Sequence, residues 1–334
     1  MDNISNLQMV DDFIKTMPNK NMQAEAAASV YQDQLTKPSG SLGMLEELAV
    51  FLAGWQNSER PVIETSQAII FAGNHGICEQ GVNPYPQEVT QLMISNFENG
   101  GSAMNQLCNL SGAELTVKPL SLDSPTQDFT QTKAMSMTEL LDAMSVGIKS
   151  IDRSANIILL GEMGIGNSTV SSALAASVFG GRVADWVGVG TGSDKKGVAH
   201  KIGIIEEGIA KHGLCSDLSA ILAFGGREQA AICGAILAAR SASIPVLLDG
   251  FICTAAAAPL YAMSPSLLDH CLVGHKSAEP GHQKLLQSMN KKPILDLNMR
   301  LGEGTGAALA LSILKAAVAC HNHMATFEEL GINN

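Results

Sequence analysis

The chain has 334 residues, of which 46% are hydrophobic and only 16% charged; it can bury a sizeable core as one large domain with an appendage, or as two domains, and disorder is excluded. A net charge of −11 with 4% aromatic residues excludes a protein that tracks phosphates or stacks bases, since the longest basic feature is Lys195–Lys196. Seven cysteines, scattered and never in CxxC spacing, read as reduced thiols of a cytoplasmic protein.

In chain order, the first 20 residues carry Asp11, Asp12, Lys15 and Pro18 without a long apolar core, so no signal peptide is expected. Ala24–Leu35 has helix-forming composition. A polar loop, Thr36–Gly43, follows, and Ser41 is expected to cap a helix over Leu42–Trp55 with Glu46 and Glu47 near its positive end. These helices precede the first convincing strand, Gln67–Ala72, which runs into Gly73-Asn74-His75-Gly76. Tyr85-Pro86 leads into a helix around Glu88–Asn96, Gly112–Val117 reads as a second strand, and Leu122–Met137 as an excursion.

From Thr138 the rhythm is regular. Helices are predicted over Thr138–Ile151, Ser168–Phe179, Lys196–His212, Glu228–Ala239 and Cys253–Met263. Strands are predicted over Asn156–Leu160, Leu218–Ala223, Pro245–Leu248, His270–Val273 and Ile294–Leu297, with a short apolar segment at Val183–Val189. The apolar window Ile244–Met263 is broken by Pro245, Asp249, Gly250 and Pro259, which reads as strand then helix rather than a membrane span. The alternation predicts an α/β fold with a mostly parallel sheet whose loops gather at one edge.

Four of those loops are glycine-rich: 161–167, 188–193, 225–226 and 302–306. The first, Gly161-Glu162-Met163-Gly164-Ile165-Gly166-Asn167, is neither a Walker A motif nor GxGxxG; it suits either anion binding or a tight turn capped by Ser168. In the second, Lys195, Lys196 and Lys201 follow the glycines, and at least two of the three read as solvated. His75, after a strand, reads better as a hydrogen-bonded turn residue than as a base. His275–His282 contains Glu279 but Pro280 interrupts any helical ligand spacing, so no metal site is expected. His321 and His323 read as a surface helix. Glu303, between Gly302 and Gly304 and three residues after Arg300, suits a helix-dipole carboxylate and a reactive group equally.

Taken together these segments resemble one family, the nicotinate-nucleotide–dimethylbenzimidazole phosphoribosyltransferases of cobalamin nucleotide-loop assembly. The matching stretches are Lys37–Gly43, Phe71–Gly76, Tyr85–Thr90, Gly161–Asn167, Val187–Gly192, Pro245–Phe251, Ser277–Glu279 and Arg300–Ala308, in one order along the chain. The resemblance implies a Rossmann-like mostly parallel sheet flanked by helices over residues 60–300. It also implies a smaller helical domain from 1–59 and 301–334, and a homodimer. The implied activity moves 5-phosphoribose from nicotinate mononucleotide to 5,6-dimethylbenzimidazole, with no cofactor, metal, nucleic acid or membrane.

Carried over by position, Glu303 would be the general base and Glu162 would stand near the ribose. Gly164, Gly166, Asn167, Gly190, Gly192 and Gly302 would line the nucleotide, Lys201 would contact its phosphate, and Tyr85 and Met93 would face the aromatic base. Transfer to a purine or phenol, or a non-catalytic nucleotide-binding protein on the same scaffold, are the competing readings.

Overall fold

The computed structural model describes residues 4, 6–190 and 192–332. Three helices come first: α1 (Leu7–Lys15), α2 (Met22–Gln34) and α3 (Met44–Gln56). Strand β1 (Ser66–Ala72) is followed by α4 (Glu88–Glu98), α5 (Ala103–Ser111) and β2 (Glu114–Pro119). Then come α6 (Met137–Lys149), β3 (Ile157–Met163), α7 (Asn167–Phe179), α8 (Lys195–His212), α9 (Ser219–Phe224) and α10 (Arg227–Ser241). The chain closes with β4 (Val246–Leu248), α11 (Phe251–Met263), β5 (Cys271–His275), α12 (Pro280–Ser288), β6 (Pro293–Leu295) and α13 (Thr305–His323).

Among the described residues six strands form one all-parallel sheet in the order β2-β1-β3-β4-β5-β6. Its central strands are apolar runs rather than alternating ones because both faces are covered. One face packs into a core containing Ile158, Leu160, Leu174, Ile232 and Ala256, and the other into a core containing Ile70, Leu159, Leu247, Leu311 and Leu52. Parallel pairing puts every strand's C-terminal end on one edge. The order reverses direction between β1 and β3, the kind of crevice where open α/β sheets usually bind ligands.

Helices α6 and α10 press backbone to backbone. A Cβ at Gly147 would lie 1.9 Å from the Ala231 carbonyl, and one at Gly234 would lie 2.0 Å from the Met144 carbonyl. Almost all of α10 is thereby buried, including Arg227, Glu228 and Arg240, so it has no polar stripe for a sequence pattern to display. Helix α13 packs on β3, β4 and β5 on one side and on α3 and α5 on the other.

Several expectations are corrected. Leu218–Ala223 is not a strand: α9 forms there, started by the Asp217 side chain accepting the Ser219 N–H at 2.7 Å. There is no vacancy for a strand at that point, because β3 pairs directly with β4. The short apolar segment Val183–Val189 begins with a 3-10 turn over Val183–Asp185. Ser41 does not cap α3; Gly43 occupies the cap position, and Glu46 reaches back to accept the Leu42 N–H at 2.9 Å while pairing with Lys37 at 2.8 Å. His321 is buried rather than on a surface face, held between the Gln32 side chain at 2.7 Å and the Glu59 carbonyl at 2.8 Å. No described helix is long and apolar enough to cross a membrane.

Candidate active site

The C-terminal edge of the sheet opens into a cavity of about 500 Å³, within the usual range for small-ligand sites. Its lining comes from the ends of β3, β4 and β5, the loop before α13, and one wall made by Tyr85, Val89 and Met93.

Glu162 was expected in a loop, but β3 runs on to Met163, so Glu162 sits inside the sheet with Phe71 of β1 as its ladder partner. Its carboxylate accepts the Asn167 side-chain amide at the start of α7 and the Glu303 N–H, the latter at 3.3 Å. Burial, and then the neighbouring Asp249 charge, push its pKa up to about 8.

Glu303 stands in a run of three left-handed residues: φ is +82° at Gly302, +63° at Glu303 and +87° at Gly304. Glycine adopts this conformation freely, whereas a side-chain-bearing residue there costs roughly 1–2 kcal/mol. The twist turns the backbone N–H groups away from the cavity. Glu303 N–H goes to Glu162, Gly304 N–H to Asp249 Oδ2 at 3.1 Å, and Gly306 and Ala307 N–H to Asp249 Oδ1 at 2.7 and 3.1 Å. This concave array of donors, a common anion cradle, is filled by the protein's own carboxylates.

The twist also leaves the Glu303 carboxylate facing the cavity, with no hydrogen bond to it among the described residues. Burial, and then Asp249, push its pKa up to about 7. The helix-dipole reading of Glu303 is therefore corrected: Gly304 is the cap residue of α13 and Asp249 takes the dipole position. Arg300 is not its partner either; the guanidinium donates to the Gly190 carbonyl at 2.9 Å.

The other end of the cavity gathers around Gly190. A Cβ there would lie 2.5 Å from Ser168 Oγ and 3.0 Å from Lys201 Nζ, so both groups converge on that turn. Glu279 Oε1 accepts the Gly190 N–H at 3.0 Å, which removes this N–H from the donors expected to meet a ligand. Lys201 is almost wholly buried in α8; burial lowers its pKa while Glu279 opposes that shift. Lys195 and Lys196 are exposed, as solvated lysines should be.

Of the other expected residues, Gly164, Asn167, Gly302, Tyr85 and Met93 line the cavity. Gly166 does not: it is the cap residue of α7 and faces the Cys78 sulfur. Gly192 lies in open space away from the lining. His75 is buried against Glu228, Nε2 to Oε1 3.2 Å, behind Gly164 rather than in the cavity. Asp249, His275, Ser277, Glu279 and Ser168 line the cavity without having been assigned a site role, and Arg300 had been considered only as a partner for Glu303. Only Asp249 directly follows a strand, Val246-Leu247-Leu248-Asp249; His275 ends β5 and Ser168 lies in α7. Among the described residues no group of three or more His, Cys, Asp and Glu is arranged to hold a metal ion.

Fold and cavity together define a sugar-phosphate or nucleotide enzyme, and comparison makes this specific. The chain belongs to the phosphoribosyltransferase family, whose model matches residues 17–332. A relative from Rhodobacter capsulatus, named nicotinate-nucleotide–dimethylbenzimidazole phosphoribosyltransferase, is 57% identical over 316 residues, 95% of each chain. One of the same name from Ruegeria pomeroyi is 50% identical, covering 99% of this chain and 98% of its own. The solved structure of CobT from Thermus thermophilus superposes with a TM-score of 0.87 at 36% identity, covering 93% of this chain and 99% of that one.

Proposed function

We propose that this chain moves 5-phosphoribose from nicotinate mononucleotide to 5,6-dimethylbenzimidazole, giving α-ribazole 5′-phosphate and nicotinate for cobalamin assembly. The observation that carries the reading is the Glu303 carboxylate: buried, without a hydrogen-bond partner among the described residues, its pKa pushed up to about 7, and sharing its cavity with the Arg300 guanidinium. The names of the close relatives support the substrates.

The chemistry suits this arrangement. Nicotinate in the mononucleotide is a pyridinium, so its ring nitrogen leaves neutral and takes the bonding pair without needing a proton. Positive charge grows on the ribose as that bond breaks; the cationic pyridinium beside Glu162 lowers its raised pKa, and the ionised carboxylate then stabilises that charge electrostatically. One benzimidazole nitrogen bonds to the anomeric carbon while the opposite N–H becomes acidic, and Glu303 takes that proton. A base with pKa about 7 is matched to this step at neutral pH, and general-base catalysis is worth roughly 10²–10⁴ in rate. Lys201, Arg300, Ser168 and Ser277 form the phosphate end, while Tyr85, Val89 and Met93 form the wall against the flat acceptor.

The half-exposed Tyr85 and Leu301 at the cavity support a second copy of the chain covering its mouth, which sedimentation would weigh as a homodimer; the cytoplasm is the compartment this reading implies. The central test is Glu303→Gln, expected to lose about 10²–10⁴ of kcat while nicotinate mononucleotide still binds. Near wild-type kcat would remove Glu303 from the base role. Competition among dimethylbenzimidazole, a purine and a phenol, read by product mass, tests the acceptor.

A further inference from the structure

We infer that Asp249 is a positioning residue for Glu303: it folds the 302–304 loop into its left-handed run and places a buried carboxylate beside the one that the loop presents. The inference rests on the reading of Glu303 as the base.

The geometry is specific. Asp249 follows β4 directly and is fully buried. Both its oxygens are engaged by backbone N–H groups of the segment that carries Glu303: Gly304 on one, Gly306 and Ala307 on the other. His275 Nε2 lies 3.7 Å from Oδ1. With its acceptor directions committed, Asp249 is poorly placed to take a proton from a ligand. It is well placed to hold the backbone of residue 303 in a conformation that a glutamate avoids when unsupported.

The same position puts a second negative charge beside Glu303. The ionisable groups that line the cavity with Glu303 are Glu162 from β3, Asp249 just past β4, His275 from β5, Glu279 ahead of α12, Arg300 from its own loop and Tyr85 ahead of α4. Arg300 is drawn off to the Gly190 carbonyl. Asp249 is the neighbouring charge that pushes the Glu303 pKa up, second only to burial.

Charge and reach can be changed in turn. Asp249→Asn keeps the size but loses the charge and one accepting oxygen, the one opposite Gly304 N–H when the other stays on Gly306 and Ala307. In that variant the acid limb of kcat and the Glu303 carboxyl midpoint, followed by ¹³C NMR of labelled glutamate and assigned with Glu303→Gln, should both move down by about one pH unit. Asp249→Glu keeps the charge but shifts its oxygens by a methylene. It should lower kcat by about 10²-fold and leave the limb in place. An unmoved NMR midpoint in a folded Asp249→Asn protein, or wild-type kcat in Asp249→Glu, overturns the inference; if Asp249→Asn does not fold, Asp249→Glu decides alone. Because the NMR midpoint reports on Glu303 whether or not it is the base, failure of the base reading shows separately, as retained kcat in Glu303→Gln.

Discussion

Two histidine–carboxylate pairs stand at the same edge of the sheet, and they have different surroundings. His75 and Glu228 sit between the ends of β1 and β3, fully enclosed: Cβ atoms at Gly73 and Gly226 would fall within 2.5 Å of the Glu228 carboxylate, and one at Gly164 would lie 2.9 Å from His75. They occupy the crevice at the point where strand order reverses. His275, the last residue of β5, and Asp249, just past β4, are also buried, but Asp249 grips the start of α13 and both residues line the cavity. The same two chemical groups thus act as a plug in one place and as part of a site wall in the other. What decides is where the carboxylate's remaining lone pairs go. Among the described residues no backbone donor reaches the Glu228 carboxylate and neither residue lines the cavity, so the first pair serves as packing.

That contrast can be broken. Glu228→Ala should cost about 3–5 kcal/mol of stability, since it strips one partner from an enclosed pair, while turnover per folded molecule falls far less. Chemical denaturation beside kcat measures this, and a protein that melts normally but loses turnover would make the plug part of the site. Lys201→Ala, buried behind Gly190 and outside the cavity lining, should on the proposed phosphate role raise KM for the nucleotide tenfold to roughly a hundredfold, as loss of a charged hydrogen bond implies, with kcat nearly kept. An unchanged nucleotide affinity would move the phosphate elsewhere.

The smallest effect concerns pH. Glu162 and Glu303 have folded pKa values of about 8 and about 7 against 4.5 for the free side chain. Between those values the folded protein holds more protons than the unfolded chain, so stability is fullest below pH 4.5 and is lost as pH rises through 7 and 8. From these two groups, the Tm of the unliganded protein should fall by about a few degrees from pH 5 to pH 8. Glu162→Gln should flatten the decline, and an equal slope in that variant would mean that Glu162 is not the group responsible.

The parallel sheet was legible because its central strands are buried on both faces and read as uninterrupted apolar runs between glycine turns. The run Leu218–Ala223 misled for the same reason: all but Ser219 of its residues are buried, such a run looks alike in a strand and in a helix turn, and the Asp217 side chain marks the difference. Glu303 and Glu162 stood out because glycines flank them. Asp249 did not, since Asp-Gly after a strand reads as an ordinary turn; its importance lies in N–H groups some 55 residues further on, and local sequence carries no sign of such a contact. Gly190 lines the cavity, but its N–H goes to Glu279, which had been weighed only as a possible metal ligand.

The cavity's two sides also differ in how freely they can change. Glu162 is fixed by ladder neighbours in mid-sheet, and Glu303 by a loop that two buried carboxylates hold; replacing any of these disturbs the frame itself. Tyr85, Val89 and Met93 belong to α4 and its approach, at the border of the sheet, and Tyr85 is half exposed. A lineage exploring new flat acceptors would therefore find its tolerated substitutions on that wall. The machinery that makes and breaks the glycosidic bond could be inherited unaltered while the preferred acceptor drifts.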